Sequence, residues 1–134
     1  MQINALHSWE VTSQEAIALQ QQLLPKIRLE PLPPAIHLVA GADVSYNLGS
    51  ERLYAGIVVL QLPEFTRVEE VVAVGNTSFP YIPGLLSFRE APILLQALQQ
   101  LASHPDAIMV DGQGIAHPRG IGIASHLGLF LDCP

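Results

Sequence analysis

Ile36-His37-Leu38-Val39-Ala40-Gly41-Ala42-Asp43-Val44-Ser45-Tyr46 is a run of small and β-branched apolar residues that carries a single acid. Such a run, bounded by turn-forming residues, reads as a strand. Two more follow at short intervals, Leu53 to Leu62 and Val68 to Gly75. Connections this short join antiparallel neighbours, so the three runs form a meander. A fourth run, Ala107 to Val110, arrives only after a helical segment from about Arg89 to Leu101. A strand reached through a helix pairs parallel to a neighbour by a right-handed crossover. A last helix, about Gly120 to Leu131, closes the chain. The order β-β-β-α-β-α predicts an α/β domain with a mixed sheet, in which an antiparallel three-strand meander is joined by a parallel fourth strand. Strands one and four are expected side by side.

Upstream, Pro31, Pro33 and Pro34 separate this core from an N-terminal helix. Thr12 and Glu15 have the form of a capping box, and Ala16, Ile17, Leu19, Leu23 and Leu24 follow at spacings of one helical face. Pro25 is expected to end or bend that helix. No repeat, low-complexity tract or linker divides the 134 residues, which read as one domain. With 49% hydrophobic residues the chain can bury a real core without staples. The single cysteine, Cys133, has no internal disulfide partner. The start of the chain lacks the pattern of a secretory leader, and no apolar run approaches the roughly 20 residues that span a bilayer. The expected location is therefore cytoplasmic, with no membrane association. Six basic against twelve acidic residues, net −6, argue against binding of nucleic acid mainly by a basic surface. A carboxylate site that takes up divalent cations can still meet phosphate.

Asp43 stands in an apolar strand, where an ionised carboxylate is costly unless paired, hydrogen-bonded or metal-bound. Asp111 follows Ala107-Ile108-Met109-Val110 directly, at the carboxyl end of the fourth strand, where open α/β sheets place ligand-contacting groups. If strands one and four are parallel neighbours, the two carboxylates can share a cation, and oxygen ligands suit Mg²⁺ or Mn²⁺. The competing reading is that each caps a strand or helix end. Glu90 is the third candidate. In Ser87-Phe88-Arg89-Glu90 it fits a capping box bonding back to Ser87, whereas a helix start two residues later puts Pro92 in the first turn and frees Glu90 to face the sheet edge. Both alternatives stand on sequence grounds.

Two loops are unusual. Phe79-Pro80-Tyr81-Ile82-Pro83-Gly84-Leu85-Leu86 holds Tyr81 between prolines, and a fixed aromatic can stack on or wedge between bases, or else pack on its own domain. Asp111-Gly112-Gln113-Gly114-Ile115-Ala116-His117-Pro118 sets two glycines just after a strand, so that backbone can approach a ligand closely. His7, His37 and His104 read as surface or satisfied histidines. Ser125 and His126 are helix neighbours that do not face each other, which argues against a nucleophile pair, and Cys133 has no base beside it.

Three blocks, Gly41 to Tyr46, Phe79 to Glu90 and Val110 to Arg119, closely resemble the endonuclease V family, in its order and approximate spacing, and the likeness extends from about residue 10 to the end. The resemblance implies an RNase H-like fold and Mg²⁺-dependent hydrolysis of a phosphodiester on the 3′ side of deoxyinosine in DNA, one bond beyond the nearest. Mn²⁺ can substitute, and some members act on inosine in RNA. It implies that Asp43, Asp111 and Glu90 form the catalytic, metal-holding set. Tyr81 would be the wedge that enters the helix at the lesion. Pro83, Gly84, Leu85 and Leu86, with Gly112, Gly114 and His117, would contact the flipped base. No protein partner is implied. Family members continue through a fifth core strand, a lysine and a histidine beyond the point where this sequence stops, so an incomplete domain, truncated before that strand, is expected. The alternative function is an inactive member that at most binds metal or nucleic acid. A small-molecule-binding domain using Gly112 to Gly114 would leave the stiff Tyr81 loop unexplained.

Overall fold

A computed structural model describes residues Met1–Pro134. Helix α1 (Ser13–Leu23) begins where Thr12 places it. Glu15 N–H donates to Thr12 Oγ1 at 3.2 Å, and Thr12 N–H donates to the Glu15 carboxylate at 3.1 Å, closing the capping box. The helix tightens into a 3₁₀ turn at Leu24–Lys26, the turn that holds Pro25. Ala16 and Leu23 are buried as their spacing predicts, but Leu24 is exposed, because the tighter winding carries it off the buried stripe. The polar Gln20 occupies that stripe instead.

The core consists of β1 (Leu38–Ser45), β2 (Arg52–Gln61), β3 (Thr66–Asn76), α2 (Leu86–Gln99), β4 (Ala107–Val110) and α3 (Ile123–Leu131). The strands lie in the order β3-β2-β1-β4, antiparallel across the meander and parallel between β1 and β4. Fold class and strand order are thus those expected from the connection lengths. Ala40 and Ala42 of β1, Leu53, Ala55, Ile57 and Val59 of β2, and Ala73 of β3 turn to one face, where Leu94 and Leu98 of α2 and Leu127 and Phe130 of α3 cover them. The alanines let the helices approach closely, while Tyr54, Val58, Val72 and Val74 on the other face are exposed. No helix is long and apolar enough to cross a membrane.

Two helix starts differ from expectation, and both differences bear on the site. Helix α2 starts at Leu86, with Leu85 as its N-cap and no side-chain cap bond, earlier than either register read from the sequence. Burial of Leu85 and Phe88 against Ala16 and Phe79 outweighs capping chemistry and keeps Pro92 inside the helix, at the loss of one ladder hydrogen bond. Helix α3 starts at Ile123, not Gly120. The glycines before it form a bend in which Gly122 N–H donates to Gly114 C=O at 2.8 Å, and a Cβ on Gly122 would collide with the Gln113 carbonyl.

Candidate active site

The parallel pairing sets the register of the site. Ala42 lies opposite Val110, and Asp111 N–H donates to Ala42 C=O at 3.1 Å, extending the pairing one step past β4 and bringing Asp111 beside Asp43. Asp43 is not buried, contrary to its setting in an apolar strand. Strand alternation places it with Gly41 and Ser45 on the exposed side, away from Ala40 and Ala42, and its Oδ1 accepts from Val44 N–H at 2.7 Å.

Glu90 is the buried acid of the group, only 8% exposed. Burial first, then the charges of Asp43 and Asp111, push its carboxyl up to about 7, while Arg89 opposes them. Two acids raising the third puts all three within Coulombic reach. Glu90 is not a capping residue, because Ser87 lies inside α2 and its hydroxyl bonds His126 Nδ1 at 2.8 Å. Arg89 offsets the group only at a distance and forms no ion pair with it. Its Nη1 donates to Phe79 C=O at 2.7 Å, its Nη2 to Ser50 C=O at 3.4 Å, and the guanidinium lies 4.7 Å from the Tyr46 ring centroid. As the side chains stand, no three acids, histidines or cysteines close to coordination distance, Asp43 being turned onto Val44 N–H. The donor set is nonetheless three hard oxygen groups whose charge Arg89 offsets only in part, the chemistry that suits Mg²⁺ or Mn²⁺.

Beside the acids runs the proline-bracketed loop. Tyr81 is 62% exposed and so is not packed on its own domain. Leu85 N–H donates to Ile82 C=O at 2.9 Å, and Gly84 has φ +86°, which makes Ile82-Pro83-Gly84-Leu85 a type II turn with proline and glycine in the positions that turn requires. Pro83 is exposed, Gly84 and Leu86 are half-buried, and the Leu85 side chain is fully buried, so Leu85 has only backbone to offer a ligand. In the second loop Gly112 has φ +153°, and a Cβ there would meet Ile123 Cγ2. Gln113 C=O accepts from Ala124 N–H at 3.0 Å, so that Gly112 and Gly114 are pinned to the start of α3. His117 is turned inward. Its Nδ1 accepts from Arg119 N–H at 3.0 Å, leaving Nε2 to donate to Gly84 C=O at 2.8 Å, and both ring nitrogens are occupied within the protein.

Sequence reasoning missed Gln20 and Arg119, which also converge on Gly84, and the pair formed by half-buried His7 and buried His126, joined Nε2 to Nε2 at 2.8 Å. Gln20 was discoverable, since it stands between Ala16 and Leu23 at the spacing of the buried stripe.

An α/β domain that gathers carboxylates at the shared end of two parallel strands, beside a stiff loop bearing an exposed aromatic, is the class this geometry defines. The Endonuclease V family profile matches residues 21–134, and the chain belongs to the endonuclease V family. It is similar to endonuclease V of Dehalococcoides mccartyi, with 51% identity over 134 residues, covering 100% of this chain and 60% of that protein. Among solved structures, endonuclease V of Streptomyces avermitilis superposes with a TM-score of 0.89 at 43% identity, covering 100% of this chain and 60% of that one. Ciona intestinalis endonuclease V, in complex with a 24mer DNA containing an inosine followed by a ribo-adenosine, superposes with a TM-score of 0.83 at 32% identity, covering 90% of this chain and 54% of that one. The chain therefore spans about 60% of the length of the curated relative it matches.

Proposed function

We propose that this chain carries the carboxylate centre and the lesion-reading loop of a DNA repair endonuclease that hydrolyses a phosphodiester on the 3′ side of deoxyinosine, one bond beyond the nearest, with Mg²⁺ as cofactor and Mn²⁺ able to replace it. The observation that carries this reading is the placement of Asp43 and Asp111 side by side at one sheet end with the buried Glu90 within reach of their charge, which Arg89 offsets only in part. The same geometry supports assignment to the RNase H-like class. Asp43, Asp111 and Glu90 would hold the cation, which when bound would activate water and offset charge on the departing oxygen. Tyr81, held out between Pro80 and Pro83, is the wedge that takes the place of the extruded base, and the backbone of Gly84 to Leu86, together with that around Gly112, receives the base itself. Extrusion costs least at a weakly paired lesion, which favours hypoxanthine over a normal base. Inosine in RNA presents the same base.

Calorimetric titration with Mg²⁺ and with Mn²⁺ tests the centre directly. Weak binding is expected in the native chain and none in Asp43→Asn or Asp111→Asn, and undiminished binding in both variants would refute the shared site. A nicking assay on inosine-containing duplex then separates the endonuclease from the alternative, a member that binds metal or nucleic acid without cutting.

A further inference from the structure

The carbonyl oxygen of Gly84 accepts from three side chains at once: Gln20 Nε2 at 2.8 Å, His117 Nε2 at 2.8 Å and Arg119 Nη2 at 3.0 Å. A carbonyl has two lone pairs, so three donors from two separate parts of the chain are more than satisfaction requires. The three side chains also orient one another. Arg119 Nε donates to Gln20 Oε1 at 2.6 Å, which settles that the amide nitrogen of Gln20 is the end facing Gly84. Arg119 N–H on His117 Nδ1 likewise settles that Nδ1 is the accepting nitrogen and that the ring donates to Gly84 through Nε2. Gln20 is 1% exposed, and an amide buried this deeply is costly unless both of its ends are used, as here they are. The Gly84 position suits glycine because its φ of +86° strains any side chain, and a Cβ there would displace the Arg119 guanidinium, 2.8 Å away at Nη2. Across the same peptide, Leu85 N–H is held by Ile82 C=O, so the Gly84–Leu85 unit is gripped on both edges.

We infer that Gln20 and Arg119 are positioning residues of the base-reading loop, locking the Ile82–Leu85 turn through its Gly84 carbonyl so that the loop meets a flipped purine in one prepared conformation. This rests on the reading of Gly84 to Leu86 as part of the base pocket. Neither residue touches the base. Each acts by removing alternative loop conformations that would otherwise have to be ordered on binding.

The test compares affinity for a duplex bearing one inosine with that for the same duplex bearing guanosine at that position, together with Mg²⁺ calorimetry and amide hydrogen exchange at Leu85. Gln20→Leu is expected to lower the inosine-over-guanosine affinity ratio by about tenfold, the equivalent of one lost hydrogen bond, and to speed exchange at Leu85, with Mg²⁺ binding and guanosine-duplex affinity unchanged. Should Gln20→Leu not fold, two subtler variants carry the same test. Gln20→Glu keeps an acceptor for Arg119 but sets an oxygen against the Gly84 carbonyl, and Arg119→Lys keeps the charge but loses the planar fork. A ratio unchanged in folded variants overturns the inference while leaving the proposed function intact. A native chain without inosine preference overturns both, and that failure shows before any variant is made.

Discussion

Burial at the end of β1 and β4, in the company of Asp43 and Asp111, holds the Glu90 carboxyl at about 7, well above the range of a solvated glutamate. The folded state therefore keeps a proton that the unfolded chain releases at about 4.5, and the stability this contributes is fully present below that pH and lost as the pH rises through 7. Glu90→Gln removes the titration. It is expected to stabilise the protein by roughly 1–3 kcal/mol at pH 8 and to change little at pH 4, measured by thermal denaturation without divalent cation. An equal gain at both pH values would mean that packing, not charge, separates the two side chains. At this scale the sequence was partly legible. Asp43 and Asp111 stand out as acids at the ends of apolar runs, but the burial of Glu90 depends on where α2 starts, which distant contacts at Leu85 and Phe88 decide.

Helices α2 and α3 and the irregular N-terminal segment are joined by a one-way chain of hydrogen bonds. Ser8 C=O can only accept, so His7 Nδ1 donates to it at 2.9 Å. The Nε2 of a neutral His7 must then accept from His126 Nε2, and His126 Nδ1 in turn accepts from the Ser87 hydroxyl. A first added proton is taken up only by reversing the Ser87 hydroxyl from donor to acceptor, and a second sets the two Nε2 groups donor against donor. Burial among Phe88, Phe130 and Trp9, none of which carries charge, pulls His126 down to about 3, and His7 is lowered in the same way. For depressed histidines the unfolded state takes up protons first, so this stability is complete above about 6.5 and drains as the pH falls toward 3. His126→Leu is expected to flatten that acid limb and to cost roughly 1–3 kcal/mol at pH 8, where Ser87 and His7 lose their partner. Denaturant melts in the Glu90→Gln background isolate the effect, because Glu90 contributes the opposite slope between 4.5 and 7. An acid limb unchanged by the substitution would show that the histidines are not its source. The elements and their order were legible from periodicity and connection length, though the starts of α2 and α3 were not. The pair was not, because its members lie 119 residues apart and nothing local to either marks it.

On the scale of the molecule, β4 is an edge strand of four residues whose outer side meets no neighbour in the sheet, and Met109 on it is 70% exposed. Val72 and Val74 add apolar surface on the uncovered face of the meander. Open edges and apolar patches invite association, opposed here by a net charge of −6. Light scattering is expected to show self-association that grows with salt as the repulsion is screened and that Met109→Lys reduces, whereas a monodisperse monomer at all salt concentrations would contradict this. Sheet order was legible because short connections leave few topologies; side-chain rotations, such as that of Asp43 onto Val44 N–H, depend on local geometry that no pattern encodes. The single tryptophan of the chain, Trp9, stacks on Phe130 at 4.8 Å between ring centroids and meets His7 edge-on at 4.5 Å, in a segment without helix or strand. Its ultraviolet emission therefore reports the seating of that segment, while far-ultraviolet circular dichroism follows the helices and sheet, and the two spectra recorded together distinguish an unlatched N-terminus from an unfolded protein without any added label.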